Sequence, residues 1–148
     1  MEAQGVNRVV IAVKDLDKAV ALYSKLLGAT FHDANPTDAA AHGVSVAMSW
    51  DAGIELACPL PGRDSPIKKF IETHGEGLMG VVFVVDDVDE CRAMAEQMGI
   101  GVLAMIADYS QEEIDKYLQG RFRKYKEYML NPAATLGVGP IIGQIEPK

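Results

Sequence analysis

The sequence predicts an α+β fold built from two tandem βαβββ modules, and three observations predict it. Residues 8–17, RVVIAVKDLD, lie over residues 80–89, GVVFVVDDVD, with Val9, Val10, Val13, Asp15 and Asp17 meeting Val81, Val82, Val85, Asp87 and Asp89. Both copies run from a β-branched stretch through Asp-x-Asp into apolar residues at helical spacing, and Gly28 and Gly99 then stop the helices. Further strand-like segments follow each helix, so the unit repeats as a whole.

In the first copy the helical pattern is Leu16, Ala19, Val20, Tyr23 and Leu27; in the second it is Val88, Cys91, Met94, Ala95 and Met98. The second Asp of each pair is expected to cap, its carboxylate accepting from amides of the first turn. The next strands of the first module are predicted at 29–32, 44–50 and 53–58. Val44, Val46, Met48 and Trp50 alternate with small or polar residues, as a half-buried strand requires, and Asp51-Ala52-Gly53 reads as a hairpin turn. Pro59, Pro61, Gly62 and Pro66 end the module, and IKKFIETHG reads as a short amphipathic helix. The second module continues with strands at 100–106, 122–130 and 141–145. Between the first two of these, Ser110 and Glu113 form a capping-box pattern that opens a helix over QEEIDKYLQ, stopped by Gly120. The expected organisation is one domain over 1–148, with modules at 6–58 and 79–148 joined by a linker at 59–78.

Composition narrows the function classes. The chain has 148 residues, 49% hydrophobic and 24% charged, with a net charge of −7. That acidity disfavours nucleic acid and anionic membrane as partners. No apolar stretch reaches the ~20 residues that span a bilayer. The N-terminal MEAQGVNR has no signal-peptide pattern, and Cys58 and Cys91 form no CxxC motif, which points to a cytoplasmic protein with reduced thiols.

The stretch NRVVIAVKDLDKAVALYSKLLG resembles the opening motif of the vicinal oxygen chelate superfamily, which includes glyoxalases, extradiol dioxygenases, bleomycin-resistance proteins and methylmalonyl-CoA epimerases. IELACPLPGRDSPIKKFIETHGEGLMGVVFVVDD is similar to the central block of the epimerases: an IEL strand, a Pro-Leu segment, a Ser-Pro-Ile helix and Gly-Glu-Gly-Leu, in that order. The resemblance runs from about Val6 to Ile145. It implies a glyoxalase-like, curled mixed sheet around a cup with the helices outside, in a homodimer. Alternation then aims Val9, Ile11 and Val13 at the helix and Arg8, Val10 and Ala12 at the cup, with Gly80, Val82 and Val84 their counterparts.

The family's enzymes open each of these strands with a metal-binding histidine and add ligands from the IEL strand and the last strand. Here the first histidine position holds Arg8, a permanent cation, and the second holds Gly80. Glu55 matches the IEL ligand; on the last strand Gln144 matches, or Gly143 after a one-residue shift. The family's divalent metal site is therefore expected to be lost, and no cofactor is expected. His32, His42 and His74 are not at matched positions. The epimerases carry acidic residues, one a catalytic base, where this chain has Ala40 and Ala41, with Asp38 the nearest carboxylate.

Arg8 is expected to pair with Glu55 beside Gln144 and to offer its guanidinium to a ligand's carboxylate, phosphate or enolate oxygen. A strand-end arginine that snorkels to solvent is the alternative. In RFRKYKEYM, Arg121, Arg123 and Tyr125 share one predicted face, and Phe122, Lys124, Lys126 and Tyr128 the other. This stripe is either a rim for an anionic ligand or a lysine-guarded edge. The ligand-binding candidates are thus Arg8, Glu55, Gln144, Val10, Val82 and Tyr128. The expected function is metal-independent binding of a small organic molecule, as in the bleomycin-resistance members. The alternative is an isomerase or lyase acting on an acyl-CoA or oxo-acid, with Arg8 as electrophile and Glu55 as acid/base.

Overall fold

Strand β1 (Ala3–Ala12) and helix α1 (Leu16–Leu27) open a computed structural model that describes residues 1–34 and 41–148. The first unit, Arg8–Met79, continues with β2 (His32–Asp33), β3 (Val44–Ser49), β4 (Ile54–Pro59) and α2 (Pro66–His74). Its strands lie in the order β2-β3-β4-β1. β1 runs parallel to β4, with Val9 opposite Ile54 and Val10 opposite Glu55, and the other two pairings are antiparallel.

The second unit comprises Gly80–Lys148 together with Met1–Asn7. Its elements are β5 (Gly77–Val85, which begins in the first unit), α3 (Val88–Gln97), β6 (Val102–Asp108), α4 (Gln111–Tyr117), β7 (Phe122–Leu130) and β8 (Gly139–Pro147). The order β6-β7-β8-β5 repeats that of the first unit, again with one parallel and two antiparallel pairings. Two βαβββ modules of α+β class are therefore present. The predicted break before residue 6 differs from the observed one: residues 1–7 fall with the second unit. There the Glu2 amide donates to Asp86 Oδ1 at 2.6 Å, and the Asp86 amide donates to the Glu2 carbonyl at 3.1 Å.

Helices α1 and α3 each cover one face of their own sheet. Val13, Ala19, Ile54 and Leu56 form the buried centre of the first unit, and Val9, Ile11, Leu16, Val20 and Tyr23 pack around it. Val88, Ala95, Tyr128, Leu130 and Ile142 do the same in the second. Each fully buried aliphatic side chain here contributes about 2 kcal/mol. Val9, Ile11 and Val13 do face the helix, as alternation requires.

The helix starts correct the sequence reading by two residues. Asp15 and Asp87, the first of each pair, are the N-caps; both have extended backbones and accept from the amides of Lys18 and Glu90. Asp17 and Asp89 already lie inside the first turn, where a side chain cannot reach the free amides ahead of it. Asp15→Ala is expected to lower stability by about 1 kcal/mol in urea denaturation, against less than about 0.5 kcal/mol for Asp17→Asn. Gly28, at φ 67°, ends α1 in the left-handed conformation, as predicted.

Candidate functional site

Arg8 sits where β1 passes into the first unit, on the sheet face turned away from α1. Val10 and Ala12 follow on that face, buried at 4% and 0% exposure. Glu55 lies opposite Val10 on β4, and its neighbours Ile54 and Leu56 point at α1, so its own side chain shares the face of Arg8. The two side chains meet: Arg8 Nη2 donates to Glu55 Oε1 at 2.9 Å and Nε donates to the same oxygen at 3.2 Å. Arg8 is 2% exposed and Glu55 12%. A guanidinium at that burial has lost its hydration shell, and the carboxylate replaces it with charge-assisted hydrogen bonds.

Trp50 completes the group at the end of β3. Its ring centroid is 5.9 Å from the guanidinium carbon of Arg8, within cation–π range. Met48 lies opposite Glu55, and Val46 opposite Ala57, so β3 and β4 surround the ion pair with apolar surface. The turn behind them is fixed by Asp51. Its carboxylate accepts from the Ser49 hydroxyl and from the Thr30 amide, and these bonds hold its carboxyl below the ordinary aspartate value. The arrangement is a buried, permanent cation with a paired carboxylate and an aromatic wall. It can bind an oxygen anion or polarise a carbonyl, and Glu55 can give or take a proton.

The remaining sequence-derived candidates are distributed differently. Val82 is fully buried in the second unit. Gln144 shares the face of Ile142, on the α3 side, and donates to Glu146 Oε1 at 2.8 Å. Gly143 is on the opposite face, where a Cβ would come 3.3 Å from Cγ of Glu127. Tyr128 belongs to the core under α3, and its hydroxyl donates to Asp89 Oδ1 at 2.9 Å. Lys126 also bonds Asp89, at 2.9 Å, and that contact raises the lysine above its ordinary value. The basic stripe is further altered at its start by a register shift between Phe122 and Lys124. This bulge reverses the local alternation: the Phe122 ring packs 5.5 Å from that of Tyr125, while Arg123 bonds Glu146.

His32 and His42 lie in and before short strands, and His74 ends α2 with its ring stacked on Phe70. Among the described residues, no group of three or more His, Cys, Asp and Glu side chains gathers as a metal ion would need. Asp38 and Ala40 lie outside the described residues. Burial pushes the thiols of Cys58 and Cys91 up, away from the nucleophilic thiolate.

Two residues escaped the sequence reading, one in each unit. Trp50 was visible only as the end of an alternating strand. Glu127, 1% exposed, lies on the face of β7 away from α3, between Tyr125 and Met129. Following the Arg121, Arg123, Tyr125 stripe one step further reaches it.

Comparison with known proteins agrees with this architecture. The sequence profile of the Glyoxalase/Bleomycin resistance protein/Dioxygenase superfamily matches residues 7–115. Human mitochondrial methylmalonyl-CoA epimerase is 37% identical over 107 residues, 64% of this chain and 59% of that protein, so the chain spans well under two thirds of this relative. The ethylmalonyl-CoA/methylmalonyl-CoA epimerase of Cereibacter sphaeroides is 37% identical over 100 residues, 66% of this chain and 72% of that one. Among solved structures, methylmalonyl-CoA epimerase from Mycobacterium tuberculosis superposes with a TM-score of 0.72 at 24% identity, over 99% of this chain and 89% of that one. A Streptomyces coelicolor methylmalonyl-CoA epimerase variant in complex with 2-nitronate-propionyl-CoA gives 0.69 at 25% identity, over 97% and 98%. The duplicated βαβββ topology and the profile match over residues 7–115 place this chain in the glyoxalase/bleomycin resistance protein/dioxygenase superfamily, among relatives that include methylmalonyl-CoA epimerases.

Proposed function

We propose that this protein binds a small organic ligand through an oxygen atom held by Arg8, without the divalent ion that the superfamily's enzymes use. The observation that carries this reading is the buried Arg8–Glu55 pair, at 2.9 Å, where the family resemblance calls for a histidine. A guanidinium offers no lone pair to a metal and repels one. The second histidine position supports the same reading. Gly80 lies opposite Gly139 on β8, and a Cβ built there would stand 2.3 Å from the Gly139 carbonyl oxygen. The residues at the two positions do not fit the family's ion, and Arg8 supplies the positive charge in its place.

A second reading is favoured by the 37% identity to two acyl-CoA epimerases. In it, a thioester carbonyl displaces Glu55 from the guanidinium. The freed carboxylate removes the proton α to the carbonyl, and Arg8 stabilises the enolate oxygen. Reprotonation on the opposite face by a solvent proton, with Glu55 releasing its own to solvent, would complete an epimerisation. Ala40 and Ala41 stand where the epimerases carry acidic residues, so Glu55 is the carboxylate assigned to this step.

Elemental analysis and thermal shift assays test the proposal together. The purified protein is expected to hold less than a stoichiometric divalent ion and to keep its melting point in EDTA. One tightly held ion per chain would overturn the metal-free reading. A bound acyl-CoA or apolar acid at a hundredfold excess over its dissociation constant stabilises by about 2.7 kcal/mol, and Arg8→Met should abolish that shift. Proton exchange at the α carbon of methylmalonyl-CoA in D2O, followed by NMR, separates isomerase from binder.

A further inference from the structure

We propose that Trp50 selects the ligand: the molecule held by Arg8 is an aromatic or similarly conjugated acid whose flat π system packs on the Trp50 ring. This inference rests on the Arg8 reading above and adds the chemical class of the group attached to the bound oxygen.

The register of β3 and β4 sets what a ligand meets. On the face turned away from α1, Val46 lies opposite Ala57 and Met48 opposite Glu55, and Trp50 follows two residues further on. The guanidinium carbon of Arg8 is 5.9 Å from the Trp50 centroid, at the outer limit of cation–π contact, so Arg8 lines the ring without stacking on it. A ligand oxygen that replaces Glu55 Oε1, 2.9 Å from Nη2, therefore brings the rest of its molecule against Trp50 and Met48. Met48 is buried, whereas Trp50 is half-buried and presents part of its ring.

The ring is also held in place. The Asp51 carboxylate accepts from the Ser49 hydroxyl and from the Thr30 amide at 3.1 Å, and the Ala52 amide donates to Ser49 Oγ at 3.2 Å. These bonds clamp the chain on both sides of Trp50, and a wall that does not move is preorganised for a flat partner.

The chemistry of the acid follows. A carboxylate conjugated to a ring is coplanar with it, and a guanidinium holds a carboxylate in its own plane. Ring and guanidinium then share a plane beside Trp50. Aromatic pairs gain energy beyond the area they bury, and the Met48 thioether adds a favourable sulfur–aromatic contact. A puckered, saturated ring of similar size buries comparable area and gains neither.

Isothermal titration of the full chain with benzoate and with cyclohexanecarboxylate tests this, since both are singly charged at neutral pH and similar in volume. The wild type is expected to bind benzoate about fivefold more tightly. Trp50→Leu should bring the ratio to about one by weakening benzoate alone, Trp50→Phe should keep a preference, and Arg8→Met should abolish binding of both acids. Trp50 is the only tryptophan in the chain, so benzoate should also change the intrinsic emission of the wild type. Equal affinities in the wild type, or an equal loss for both acids in Trp50→Leu and Trp50→Phe, would mark a plain apolar wall and overturn the inference while leaving the Arg8 reading intact. Binding that survives Arg8→Met, or no binding of either acid up to about 10 mM, would overturn both.

Discussion

Glu55→Ala is expected to lower the stability of the protein by about 3 kcal/mol, or the melting temperature by roughly 10 °C. The reason is the partner it leaves behind. Arg8 stays ionised at any accessible pH and is 2% exposed, so removing the carboxylate 2.9 Å away takes away charge-assisted hydrogen bonds that water replaces poorly at that depth. Arg8→Met is expected to cost less, about 1 kcal/mol, because Glu55 at 12% exposure keeps a route to solvent and can also take up a proton. The double change Arg8→Met/Glu55→Leu should regain most of the loss, since apolar residues of similar volume often replace a buried ion pair at little cost. A double-mutant cycle measures the coupling directly. Glu55→Ala protein that melts with the wild type would show that the pair contributes nothing to the fold.

Gly80→Ala is the second substitution expected to have a large effect, again about 3 kcal/mol. A methyl group at this position would lie 2.3 Å from the Gly139 carbonyl oxygen. Both contacting segments are backbone in paired strands, so no flexible side chain can swing aside. β5 and β8 must separate, and their parallel pairing from Gly80–Gly139 to Val84–Gly143 is at risk. Gly101→Ala is the control: its Cβ would meet Asn131 at 3.6 Å, ordinary contact, and the change should be within about 0.5 kcal/mol. Gly80→His carries the sharper test, because it rewrites the family residue. It should destabilise like the alanine and bind no zinc. A Gly80→His protein that folds normally would show that the strands give way.

The sequence made the topology legible because its signals were redundant. β7 was predicted at 122–130 and is found at Phe122–Leu130, where the aromatic residues Phe122, Tyr125 and Tyr128 and the flanking Gly120 and Pro132 all agree. Edges defined by one signal moved. The strand expected at 29–32 shrinks to His32–Asp33 because the Thr30 amide is taken by Asp51. Ile100 was read as strand, yet its amide donates to the Ala95 carbonyl and finishes α3. The Asp-x-Asp pairs offered two equal carboxylates, and only the backbone entering the helix selects between them. Register was the least legible quantity. Val10 lies opposite Glu55, and its repeat partner Val82 lies opposite Ile141, three residues before Gln144. An odd shift turns every side chain over. That is why Arg8 and Glu55 meet as alternation suggested, while Gln144 faces α3.

The first seven residues also fix the timing of synthesis. They leave the ribosome ahead of their partners Asp86 and Glu90, which follow more than eighty residues later. The unit holding the second repeat therefore cannot close on itself. It takes up a segment made before the first repeat, so that repeat can collapse around Arg8 and Glu55 while residues 1–7 still await their partners. Deleting residues 1–7 would leave the early unit intact and the late one without the first part of β1.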